Sequence, residues 1–459
     1  MSKHSTLIRA LLVVAVGLGC ACAVPRAAAQ SGAVRERPKW KDFGESLERL
    51  KWDESKRAAV QAKAKKEEGR KAGEEVGEDE VVRVETSLVV CDVLVLDKQG
   101  RAVAGLTRED FQVAEDGEAQ EVGTFALGDD MRVPRAIVLV IDYSGSQYPY
   151  IKMSVEAAKT LVERLGPRDR MALVTDDVEL VADFTGDKGK LRKKLDSLAK
   201  RANDEGGFLT KALGVPRRRF GRSAQFSALL ATLNEAFNAE DVRPVVIFQT
   251  DGDELLYLRE PVVEPYVPPN LPPDMHEEAL EYVRRSRRMI AERRREFGLR
   301  DVHAAAEKSR ATIYTVVPGY RYVGLTFEEQ LKKSAAARER QAAVWRPSAA
   351  MRERMEDRRR RTPPEAVRRA FEQLATVQQT LIDLAALTGG WADFLEEPEQ
   401  AAAIYERIFS DVNRRYVIGY QPTNKARDGG RRRVSVEVRG HPEYTVWGRK
   451  FYYAPGPEE

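Results

Sequence analysis

The sequence predicts an α/β protein built on a doubly wound, mostly parallel sheet, flanked by a small N-terminal β domain and a C-terminal β extension. Three observations predict it. Ala136 to Ile141 is an unbroken apolar run, as in a strand buried on both faces of a parallel sheet. Val245 to Phe248 and Ala311 to Val317 repeat that character further along the chain. Between them lie helical patterns, such as Ile151, Val155, Ala158, Leu161, Val162 and Leu165 after Tyr150. Strands alternating with helices wind into an open sheet with helices on both sides.

The N-terminal residues carry Lys3, His4 and Arg9, then apolar Ala10 to Ala23, then Ala27-Ala28-Ala29. Positive charge, a short apolar core and small residues predict a secretory signal peptide over 1–29, cut after Ala29. The apolar run is shorter than the roughly 20 residues a membrane span needs. The chain is therefore expected to be exported, to the periplasm, the cell surface or the medium, with no span in the mature form. A lipoprotein alternative at Cys20 lacks the apolar residue expected three positions earlier. Residues 30–80 are a charged segment, with Trp40, Phe43, Leu47 and Leu50 at helical spacing and little to bury beyond Glu54.

Residues 81–128 change character and read as a small β-rich domain, with Val81 to Leu96 as β structure and Asp97-Lys98-Gln99-Gly100 as a turn. Residues 134–412 read as the α/β domain. Its short strands are Arg170 to Thr175 and Val178 to Phe184, and its helices include Gly186 to Ala199 and Ala224 to Phe237. Two stretches interrupt the pattern, 258–300 and 320–369. The first starts with a Pro-rich loop and continues as an Arg/Glu helix; the second holds Arg358-Arg359-Arg360-Arg361. Each is either a solvated helical face or a docking surface for an acidic or anionic envelope component. Residues 413–454 form the C-terminal extension, in which Arg431 to Val438 alternates apolar and charged positions.

The chemistry gathers at the ends of two central strands. Asp142-Tyr143-Ser144-Gly145-Ser146 follows the first apolar run directly. Ligands of open α/β sheets bind beyond the carboxyl ends of the strands. Alternate spacing lets the three side-chain oxygens converge there, and such oxygens suit a hard cation such as Mg²⁺. Thr250-Asp251-Gly252 follows the second strand. Two acidic pairs, Asp176-Asp177 and Asp251-x-Asp253, read as loop caps and outer partners of the metal site.

The Asp-x-Ser-x-Ser, the Thr-Asp-Gly and the intervening Gly221-Arg222-Ser223 resemble the metal-ion-dependent adhesion site of von Willebrand factor type A domains. The resemblance implies a metal site of Asp142, Ser144, Ser146, Ser223 and Asp251. Ser223 stands where Thr is usual, and Thr210 lies near enough in sequence to substitute for it. Ser144 and Ser146 would bind Mg²⁺ (or Mn²⁺ or Ca²⁺) directly, Asp142 and Asp251 mainly through water, and Ser223 when the site is occupied. Val103-Ala104-Gly105-Leu106, Asp110-Phe111-Gln112-Val113, Glu115-Asp116-Gly117 and the C-terminal strands are similar to modules flanking that domain in a group of secreted bacterial proteins first catalogued in Acidobacteria.

The implied function is a non-enzymatic binding or adhesion protein whose metal accepts an Asp or Glu carboxylate from a protein partner. The alternatives are a structural envelope protein with a degenerate metal site and a metal-assisted hydrolase. Against the hydrolase, the sequence shows no nucleophile beside a base and no Gly-rich phosphate loop. Four histidines, none clustered, disfavour zinc. Positive and negative charges nearly cancel to +4, which argues against a nucleic-acid binder. Cys91 alone remains after signal removal, so no internal disulfide is expected.

Overall fold

The computed structural model of the chain describes residues 88–128, 134–144, 147, 150–204, 224–237, 243–264, 273–345 and 347–454. The expected signal peptide over 1–29, the charged segment 30–80, Ser146, Thr210 and Ser223 lie outside the described residues. Among the described residues no helix is long and apolar enough to cross a membrane.

The described chain opens with β1 (Val89–Leu96), β2 (Phe111–Glu115), β3 (Glu118–Gln120) and β4 (Val122–Leu127). The α/β part then runs β5 (Arg135–Ile141), α1 (Ile151–Glu163), β6 (Arg170–Thr175), β7 (Leu180–Thr185), α2 (Lys188–Asp204), α3 (Gln225–Glu235) and β8 (Arg243–Gln249). After a short 3₁₀ turn, Asp253–Tyr257, come α4 (Pro273–Glu292), α5 (Leu299–Lys308), β9 (Thr312–Pro318), α6 (Phe327–Trp345), α7 (Ala349–Arg361), α8 (Pro364–Leu387), β10 (Ala392–Leu395) and α9 (Gln400–Arg414). The chain returns to β structure with β11 (Tyr416–Tyr420), β12 (Arg431–Val438), β13 (Thr445–Trp447) and β14 (Phe451–Tyr453).

The central sheet has six strands in the order β10-β9-β8-β5-β6-β7. All neighbours are parallel except β7, which runs antiparallel to β6 at one edge. Counted from β5, the strand order is 3-2-1-4-5-6, the doubly wound arrangement. Its order reverses between β5 and β8, so the crevice beyond their carboxyl ends is the expected binding place. The apolar run of β5 serves both faces. Ile137, Leu139 and Ile141 pack with α1, α2 and α9, whereas Val138 and Val140 pack with α3, α5 and α8. That two-sided burial is why the sequence shows an unbroken run rather than alternation.

The two flanking β segments are one structure. One four-stranded sheet is ordered β13-β1-β11-β4, the other β14-β12-β2-β3. β1 pairs with β11 and β13, and β2 pairs with β12, so both four-stranded sheets mix early and late strands. Val89, Cys91, Val93, Phe111, Val113, Tyr416, Ile418 and Val434 fill the core between them. Either segment alone would leave open strand edges and half a core, which in water is marginal at best.

Buried polar contacts fix this sandwich to the amino ends of the parallel strands. Arg243, the first residue of β8, donates to the Asp92 carboxylate and to the carbonyls of Gly128 and Val412. Arg415 pairs with Asp411, which also accepts from Trp391 Nε1. Arg449 donates to the carbonyls of Ala306, Glu307 and Ala311 around the end of α5; full burial lowers its pKa to about 10. The sandwich therefore sits at the pole opposite the strand-end crevice.

Candidate metal centre

Asp142 begins where β5 stops. Its N–H donates to Gln249 O at 2.9 Å, extending the β5–β8 seam by one position. The side chain is 1% exposed. Oδ1 accepts the Ser144 N–H at 2.9 Å; Oδ2 accepts Gln225 Nε2 at 2.8 Å and Thr250 Oγ1 at 3.1 Å. Those three donors are uncharged, so they orient the carboxylate without neutralising it. Gln225 is fully buried at the start of α3, and its Nε2 also donates to Asp253 while its Oε1 accepts the Glu254 N–H.

The second loop follows β8. Gly252 turns with φ +78°, a left-handed value that favours glycine. The turn is held by Gly252 N–H donating to Thr250 Oγ1 and Asp253 N–H donating to Asp251 Oδ1. It folds Asp253 back beside Asp251. Carboxylate oxygens of Asp142, Asp251 and Asp253 lie within 4.8 Å of one another. Two oxygens on opposite sides of a Ca²⁺ or Mg²⁺ ion stand about 4–5 Å apart, so a hard divalent cation fits this spacing and donor type.

Of the sequence-expected ligands, the structure brings Asp142 and Asp251 together and buries Ser144 two residues away. Ser146 and Ser223 lie outside the described residues. Asp253, expected as an outer partner, joins the carboxylate cluster itself. Its signal was present in the sequence: Asp251-Gly252-Asp253 repeats, around a glycine, the alternate spacing of Asp142 and Ser144. Gln225 and Gln147 carry no such signal, because single amide residues are common in any sequence. Gln147 is 1% exposed and donates Nε2 to Asp251 Oδ2 at 2.5 Å.

Asp176, at the end of β6, accepts the Tyr143 N–H at 3.1 Å. Burial, and then the nearby charges of Asp142, Asp177 and Asp253, push its pKa well above the ordinary 3.8. Its neighbour Asp177 accepts from Tyr143 OH and Thr175 Oγ1, as a loop cap does. The crevice is thus strongly anionic, and a bound cation would relieve that.

No family model and no curated protein matches the sequence. Solved structures do. A von Willebrand factor type A protein from Catenulispora acidiphila covers 83% of this chain and 77% of its own, at 11% identity and a TM-score of 0.32. The manganese-loaded TRAP protein of Plasmodium vivax covers 75% of this chain and 100% of its own, at 13% identity and a TM-score of 0.27. BatB from Bacteroides thetaiotaomicron covers 61% and 98%, at 12% identity and a TM-score of 0.29. At these scores the likeness adds little to the chain's own sheet order, on which the fold stands. With its doubly wound order, its single antiparallel edge and its two acidic loops meeting at the point where strand order reverses, the central domain of this chain has the α/β fold expected of a von Willebrand factor type A domain.

Proposed function

We propose that this chain is a non-enzymatic binding protein that holds a divalent cation, Mg²⁺, Mn²⁺ or Ca²⁺, at the β5–β8 crevice and uses it to accept a carboxylate from a protein partner. One observation carries the reading: Asp142, Asp251 and Asp253 converge within 4.8 Å at the switch point of the sheet. Like charges held this close are unfavourable without a cation between them. When bound, the cation supplies an electrophilic position for an anionic oxygen. The chain's own part is to hold the carboxylates rigid through Gln225, Thr250 and the Ser144 N–H. Ser144, Ser146 and Ser223 would complete the shell as the family resemblance implies.

The signal-peptide pattern and the flanking modules similar to those of secreted bacterial proteins support export. Arg284, Arg285, Arg287 and Arg288 of α4 are exposed, which supports a partner that is acidic beyond a single carboxylate.

The test is calorimetric titration of the mature chain with Mn²⁺. Wild type should bind one ion, and Asp142→Asn should bind at least tenfold more weakly. An acetate-bearing or Asp-containing peptide should bind only in the presence of metal. Equal metal binding by the variant, or peptide binding unaffected by EDTA, sinks the reading.

A further inference from the structure

The Gln147 side chain is buried against the Asp251 carboxylate and is only half satisfied. Its Nε2 donates to Asp251 Oδ2, but among the described residues nothing donates to its Oε1, which is itself buried. A buried amide oxygen without a partner is unfavourable, because it has given up water and gained nothing in return. The reverse orientation is worse, because it would set the amide oxygen against the Asp251 carboxylate. From the C=O and C–N bond lengths, the two amide heteroatoms are about 2.2 Å apart. With Nε2 at 2.5 Å from Asp251 Oδ2, Oε1 therefore lies within about 5 Å of that carboxylate oxygen. The backbone holds the residue there: Gln147 N–H donates to Ser144 O, and Gln147 O accepts the Tyr150 N–H that leads into α1.

A neutral oxygen, buried and unpartnered beside one carboxylate of a convergent acidic cluster, is chemically suited to a cation held there. We propose that Gln147 is a ligand of the cation: its amide turns so that Oε1 binds a divalent ion held by Asp142, Asp251 and Asp253. The turn withdraws Nε2 from Asp251 Oδ2, which frees that oxygen for the ion. It also supplies the missing partner for Oε1 in the same movement. Amide oxygens are ordinary ligands of hard cations, and a neutral fourth oxygen adds coordination without adding repulsion to an already anionic crevice. This inference rests on the metal reading proposed above and goes beyond it by assigning a residue outside the Asp-x-Ser-x-Ser pattern.

The test uses the full mature chain and Mn²⁺ alone as probe. Gln147→Leu removes the amide at nearly constant volume and should weaken Mn²⁺ binding roughly tenfold or more. Gln147→Glu keeps the shape, makes the fourth oxygen anionic and should bind Mn²⁺ more tightly than wild type. In protein labelled with ¹³C at the glutamine side-chain carbonyl, electron–nuclear double resonance of bound Mn²⁺ should show a ¹³C coupling that disappears in Gln147→Leu. A residue that merely steadied Asp251 would weaken binding without that coupling. Wild-type affinity in Gln147→Leu, or an absent coupling in the wild type, overturns the assignment while leaving the metal site standing. Should the leucine variant fail to fold, unchanged or weaker binding by Gln147→Glu overturns it equally. A wild-type chain that binds no Mn²⁺ overturns the metal reading itself.

Discussion

Arg243 and Asp92 meet across the joint between the sandwich and the α/β domain, with Arg243 Nη2 at 2.9 and 3.1 Å from the two carboxylate oxygens. The arginine side chain is 7% exposed. Nη1 donates to Gly128 O and Nη2 also to Val412 O, so the side chain bridges three chain segments at once.

Removing one member of such a pair leaves the other buried and uncompensated. Asp92→Ala should destabilise the chain by about 3 kcal/mol. Urea unfolding measures the loss. The joint lies at the opposite pole from the crevice, so Mn²⁺ affinity of the folded variant should stay within twofold of wild type.

Asp176 gives a pH signature. Its pKa is raised in the folded state, so folding binds a proton that the unfolded chain has released. Stability of the metal-free protein should therefore fall as pH rises from about 3.8 toward neutrality. Asp176→Asn keeps the acceptor for the Tyr143 N–H and removes the charge. It should be more stable than wild type at pH 7 in EDTA, and the advantage should vanish below pH 4. Urea melts across that range check it; an advantage independent of pH would refute the electrostatic origin.

Asp169 works in the opposite sense. Burial alone would raise its pKa, but the Arg135 guanidinium and the Gly166 N–H outweigh this and lower it below 3.8. The stability it contributes is present above the unfolded value and is lost as pH falls through the folded one. Arg135→Gln should lower stability at pH 7 and flatten the acid limb of the stability profile.

Gly252 tests the geometry of the second loop. A Cβ there would be strained at φ +78° and would stand 3.1 Å from Val377 Cγ1 and 3.2 Å from Leu381 Cδ1. Gly252→Ala should cost about 1–2 kcal/mol for the left-handed conformation alone. It should also weaken Mn²⁺ binding, because Asp251 and Asp253 flank the turn.

The arginines of α4 bear on the partner. Ala279, Val283 and Ser286 form its buried seam, and Arg295 just beyond it pairs with fully buried Glu254. Deleting the whole segment would thus disturb the loop beside Asp253. Changing Arg284, Arg285, Arg287 and Arg288 to Gln avoids that. The quadruple variant should bind poly-glutamate several-fold more weakly at 0.05 M salt, with a shallower salt dependence and unchanged Mn²⁺ affinity.

The central sheet was legible because two-sided burial writes an unbroken apolar run, as in Ala136 to Ile141. Asp142 and Asp251 were legible because each follows such a run directly. The sandwich was only half legible: alternation in Arg431 to Val438 marks a strand, but nothing local in it names Phe111 to Glu115 as the partner. The closeness of Asp253 to Asp142 is less legible, because it depends on the Gly252 turn folding it back. Gln147 and Gln225 act through single side-chain contacts that leave no periodic trace.

The interleaved sandwich also governs the order in which the molecule can assemble. Tyr420 and Glu115, hydrogen-bonded in its core, are 305 residues apart in sequence. The α/β domain is thus an insertion between two halves of another fold. As the chain emerges from its N-terminus, β1 to β4 must wait with open edges until the whole α/β domain has passed. Contacts of such long separation form slowly, and waiting strands invite pairing with other chains. A polypeptide released before β11 would hold a complete crevice beside an unfinished sandwich, and aggregation should begin at β1 rather than at the crevice.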